Sequence, residues 1–91
     1  MMKLLFFDMN TIRSREVLHD AFQEKLELPE YYGRNLDALY DLLSEGAVHA
    51  MLVFENCDCA DEEMKAYLEK LREIGGRLAA GSLPVEFKFF R

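Results

Sequence analysis

Three short apolar runs, residues 3–7, 49–54 and 83–90, are separated by stretches with helical periodicity, and that alternation restricts the chain to few architectures. Strands joined by helical crossovers pair in parallel with right-handed connections, so the fold class is α/β with a mainly parallel sheet. The first run stops at Asp8 and Asn10. Ser14 then stands as an N-cap, with Glu16 in the first turn of a helix. On that helix Val17, Leu18, Ala21, Phe22 and Leu26 share an apolar face, and Glu16, Asp20, Gln23 and Glu24 fill the opposite one.

A loop, Leu28-Pro29-Glu30-Tyr31-Tyr32-Gly33-Arg34, leads to a second helix spanning about residues 36–44, with Asn35 as its N-cap. The run 49–54 is almost continuously apolar, which predicts a central strand covered on both faces. Asp58 or Asp61 caps a third helix, in which Met64, Tyr67, Leu68, Leu71 and Ile74 form the apolar stripe and Gly75-Gly76 the expected end. Pro84 marks the start of the last strand, whose Val85, Phe87 and Phe89 face one way. The expected core contains Leu18, Phe22, Leu36, Leu39, Leu43, Leu52, Leu68 and Leu71.

Ninety-one residues, 51% of them hydrophobic, suit one cored unit over residues 1–91. The formal charge of −6 argues against nucleic acid or an anionic membrane as partner and favours something cationic. No apolar run approaches the ~20 residues of a membrane span, and the opening run ends too soon at Asp8 for a signal peptide. Cys57 and Cys59 sit too close in sequence to staple distant elements. These features lead us to expect a cytoplasmic protein.

The acidity is local. Residues 27–45 carry five acids and one base, and residues 55–73 carry seven acids and three bases. At ~100° per residue, Leu36, Leu39, Leu42 and Leu43 fall on one side of the second helix, with Asp37, Tyr40, Asp41 and Ser44 on the other. Asp37 and Asp41 are i, i+4 neighbours whose repulsion costs an isolated helix a few tenths of a kcal/mol. The helix dipole favours Asp37 in the first turn and does little for Asp41. Stability alone would not select Asp41.

The segment from Leu28-Pro29-Glu30-Tyr31-Tyr32-Gly33-Arg34-Asn35 through Leu36-Asp37-Ala38-Leu39-Tyr40-Asp41 resembles the signature of the barstar family of ribonuclease inhibitors. The likeness extends to Ile12-Arg13-Ser14 and Leu18-His19, and toward the C-terminus to Leu71-Arg72-Glu73. It implies a barstar-like fold: a three-stranded parallel sheet packed with about three to four helices. It also implies a non-enzymatic protein that inserts its second helix and preceding loop into the active site of a barnase-like or other basic ribonuclease, as a one-to-one complex without cofactor. By that resemblance Asp41 occupies the place of a substrate phosphate, Asp37 and Glu73 add acidic contacts, Tyr31 and Tyr40 aromatic ones, and Gly33 and Asn35 shape the interface.

Other readings of the same residues are weaker. Paired carboxylates on an exposed helix lack the nucleophile and convergent pocket that acid/base catalysis needs. Cys57, Cys59 and His49 supply at most three of the four ligands of a structural zinc site. His19 and His49 read as structural or surface residues. Tyr32 is expected to be more buried than Tyr31. Two further functions remain open: an interaction module of this fold for a basic partner that is not a ribonuclease, and a thiol redox protein using Cys57 and Cys59.

Overall fold

A computed structural model describes residues 2–91. Strand β1 (Lys3–Asp8) leads to helices α1 (Arg15–Lys25) and α2 (Leu36–Ser44), strand β2 (Ala50–Glu55), a single 3-10 turn (Cys57–Cys59), helix α3 (Glu62–Ala80) and strand β3 (Val85–Phe89). The sheet order is β1-β2-β3 and both pairs are parallel.

Each start has a sequence reason. Ser14 Oγ accepts the Val17 amide at 3.1 Å, Asn35 Oδ1 accepts the Ala38 amide at 2.8 Å, and Asp61 Oδ1 accepts the Met64 amide at 2.8 Å. Each cap satisfies a first-turn amide that has no partner within its helix. Of the two candidate caps for α3, Asp61 is the one that serves.

The register places Leu5, Leu52 and Phe87 in one cross-strand row and Phe7, Phe54 and Phe89 in another. In the second row, neighbouring rings stack with centroids 5.1 and 4.7 Å apart. Phe22 of α1 closes over them, 5.1 Å from Phe7 and edge-on to Phe54. The expected core residues Leu18, Phe22, Leu39, Leu43, Leu52, Leu68 and Leu71 are buried there, while Leu36, at the first position of α2, is half-buried.

Three expectations need correction. First, β2 is not covered by helices on both faces. With strands in monotonic order, right-handed crossovers place both connections on the same side, so one helical layer results. The rows on the other side, Leu4-Met51-Glu86 and Phe6-Val53-Lys88, face outward, with Leu4 58% and Phe6 50% exposed. Val53 is nevertheless buried, as the middle residue of its row.

Second, Val17 lies outside the apolar face of α1 and is exposed, because the helix turns Leu18, His19 and Phe22 inward. Third, Gly75-Gly76 does not end α3, which continues to Ala80 and is capped by Gly81. Gly75 packs directly against β3: a Cβ there would lie 3.0 Å from Phe87, whereas one on Gly76 would meet nothing within 4 Å. Glycine at 75 is a packing residue, not a stop.

Candidate acidic interface on helix α2

Helix α2 buries Leu39 and Leu43 and turns Asp37 and Asp41 to solvent. Glu45, the C-cap residue one turn beyond Asp41, extends the exposed carboxylates into an i, i+4, i+8 column. Among the described residues the ion pairs are Lys3–Glu27, Arg15–Glu63, Arg34–Asp20 and Arg72–Glu69, and none involves this column. An acid at a helix C-terminus opposes the macrodipole, so Glu45, like Asp41, gains nothing from its own helix.

Beside the column the preceding loop forms a shallow cleft of about 240 Å³, lined by Tyr31, Tyr32, Gly33, Ala38, Asp41, Leu42 and Glu45. The fold thus brings Tyr31, Gly33 and Asp41 to one place. Tyr31 is 78% exposed, whereas Tyr32 is buried at 4%, as expected for the pair. Asn35 shapes the bend twice, capping α2 with its oxygen and donating from Nδ2 to the Gly33 carbonyl at 3.1 Å. A Cβ on Gly33 would press on Ala38 Cβ at 3.2 Å and Asn35 Nδ2 at 3.3 Å, so the tight approach of loop and helix favours glycine.

Tyr40 and Glu73 lie on a different flank. Tyr40 is half-buried, with the Arg77 guanidinium of α3 over its ring at 4.3 Å. Glu73 is exposed one turn before Arg77, the spacing of same-face neighbours, and no hydrogen bond or ion pair among the described residues joins it to α2.

Behind the cleft lies a polar cluster that periodicity does not reveal. His19, 2% exposed, meets the Tyr32 oxygen at 2.5 Å through Nδ1 and the Tyr67 oxygen at 2.6 Å through Nε2. A neutral imidazole fits: one phenol donates to its bare nitrogen and the other accepts from its N–H. Burial, reinforced by the Arg34 charge, pushes the His19 pKa down to about 4, with Asp20 opposing. Burial raises the phenol pKa of Tyr32 and of Tyr67. The polar side of α1 is also occupied: Arg34 donates to Asp20, to Gln23 Oε1 and to the Glu16 carbonyl. The one detectable sign of this in the sequence is a lone base inside an acidic segment.

Elsewhere, Cys57 donates weakly to the Phe54 carbonyl at 3.6 Å, and burial pushes its pKa up. That environment favours the thiol over the reactive thiolate, and lends no support to a redox role. Among the described residues no three His, Cys, Asp or Glu side chains are grouped to hold a metal ion, and no helix is long and apolar enough to cross a membrane.

Fold and surface together define a small α/β protein that presents exposed carboxylates on a capped helix, beside an exposed tyrosine of the preceding loop. Residues 2–90 match the family model described as Barstar (barnase inhibitor), and the chain belongs to that family. It is 35% identical over 74 residues to "Putative ribonuclease inhibitor YrdF" of Bacillus subtilis (strain 168), a match covering 80% of this chain and 81% of that protein. Its fold is also similar to part of Cdc6p from Pyrobaculum aerophilum, with a TM-score of 0.73 at 14% identity over 98% of this chain. The chain spans about a quarter of that structure (24%), and the likeness concerns the fold alone.

Proposed function

We propose that the protein inhibits a basic ribonuclease by presenting α2 and the Tyr31–Asn35 loop to the enzyme's active site. The observation that carries this reading is the column Asp37, Asp41 and Glu45, exposed and without an ion-pair partner among the described residues, beside a cleft edged by Tyr31. A ribonuclease gathers cationic groups around a scissile phosphate. Carboxylates on a rigid helix satisfy those groups through charge-assisted hydrogen bonds and offer no bond to cleave.

In this reading Asp41 takes the place of the phosphate and Asp37 flanks it. Tyr31 and Gly33 contact the enzyme from the loop, Asn35 keeps the loop's bend, and Tyr40 and Glu73 meet it on the α3 side. The complex is one-to-one and cytoplasmic, and the chain contributes no catalysis of its own. Family membership and the name of the Bacillus subtilis relative support the ribonuclease as target. The test is inhibition of RNA cleavage by barnase and by a panel of other basic ribonucleases at stoichiometric protein. Stoichiometric loss of cleavage for at least one enzyme supports the reading; binding without inhibition, or no binding across the panel, overturns it.

A further inference from the structure

We infer that Arg34 is a positioning residue, a clamp that fixes the Tyr31–Asn35 loop on α1 so that Tyr31 and Gly33 are held in place before a partner arrives. This rests on the proposed inhibitory face and adds a residue from outside it.

Arg34 is unexpected in both charge and backbone. It is the only base within residues 27–45, on a surface whose use requires negative charge, so its charge works against steering toward a basic enzyme. Its φ of +56° lies in the left-handed region, where glycine or asparagine would sit with less strain. A residue unfavourable on both counts needs a compensating role for its side chain.

The contacts supply that role. The guanidinium reaches Asp20, Gln23 Oε1 at 3.2 Å and the Glu16 carbonyl at 3.1 Å, acceptors spread over two turns of one side of α1. Gln23 in turn donates to the Pro29 carbonyl at 3.2 Å, and Tyr32 is bonded to His19 from within. The loop is therefore tied to α1 near both its ends and through its middle. Tyr31, 78% exposed, makes no side-chain hydrogen bond among the described residues, so its placement is inherited from Tyr32, Gly33 and Arg34.

An exposed ion pair adds little to global stability, but a preordered loop spares a complex the cost of ordering it, and such gains appear mainly in the dissociation rate. The opposite signs of the two effects make the proposal testable. If the clamp acts by ordering the loop, Arg34→Met raises the dissociation rate while leaving the association rate unchanged or higher, since a positive charge has been removed.

The experiment measures association and dissociation rates with barnase for the parent, Arg34→Met, Asp20→Asn and the double variant. Amide hydrogen exchange of residues 31–33 and urea unfolding are followed in the free proteins. The expected result is a three- to tenfold faster dissociation for each single variant, no further rise in the double, and faster exchange in the loop at an unchanged urea midpoint. Dissociation that is unchanged or slower in Arg34→Met, or loop exchange identical to the parent, overturns the clamp. If the parent does not bind barnase, the rates are measured with a panel ribonuclease that it does inhibit; if it binds none, the ribonuclease reading fails, and hydrogen exchange still decides whether Arg34 orders the loop.

Discussion

His19 and Tyr32 stand 2.5 Å apart, ring nitrogen to phenol oxygen, and the same imidazole is 2.6 Å from Tyr67, so α1, the loop before α2 and α3 meet at one buried ring. The His19 pKa falls from 6.5 to about 4, chiefly by burial, so the folded protein holds the ring neutral where the unfolded chain protonates it. Stability from this site is complete above pH ~6.5 and is lost as pH falls toward 4; the full loss is of order 3 kcal/mol. Urea unfolding from pH 8 to pH 4.5 should show this decline, and His19→Gln should flatten it. Equal stability of the parent at pH 5 and pH 7.5 would contradict the neutral ring.

The adjacent glycines of α3 should respond oppositely to alanine. Gly76 has open space, so Gly76→Ala should stabilise by about 0.5–1 kcal/mol through helix propensity. Gly75→Ala must displace Phe87 from 3.0 Å and should destabilise by about 1 kcal/mol. Thermal or urea unfolding of the two variants checks this, and the same sign for both would show that helix and sheet do not approach as described.

The two sides of the sheet should differ in the same way. Phe6 is half exposed on the uncovered side, and Phe6→Thr should change stability by less than about 1 kcal/mol. Phe54 is fully buried between stacked rings, and Phe54→Ala should cost about 3–5 kcal/mol. Comparable losses in urea unfolding would mean that a layer covers the Phe6 side.

Association with a basic ribonuclease should be steered by the acidic column, slowing as ionic strength rises from low to physiological. Stopped-flow rates across that range are the check. A rate independent of salt would assign the contact to another face.

Much of this was readable from local chemistry. Ser14 and Asn35 announced their helices because an amide-accepting side chain before an amphipathic run is a local signal, and the parallel sheet followed from the spacing of apolar runs. The errors arose where the answer depended on a distant element. Gly75-Gly76 reads as a stop until Phe87 of β3 is placed against it, and whether helices cover one side of β2 or both depends on the order of the strands in the sheet, which one strand's pattern does not encode. On α2, the exposure of Asp37 and Asp41 was legible from helical phase. The clamp between Arg34 and α1 was not, because it joins residues 14 apart in an irregular loop that carries no periodicity.

The most direct test of the account is the affinity of Asp41→Ala for a ribonuclease that the parent inhibits, measured by titration calorimetry beside urea unfolding of the free protein. Asp41 is exposed, has no ion-pair partner among the described residues and stands one turn from Asp37. Its loss should leave the fold unchanged or more stable by a few tenths of a kcal/mol, and should weaken binding by well over about 2 kcal/mol, because cationic groups of the enzyme are left desolvated and unpaired. Asp41→Asn, which keeps the shape and removes the charge, should also bind poorly. Binding as tight as the parent's, or a marked loss of stability in the free variant, would make Asp41 structural and contradict its role as a phosphate mimic.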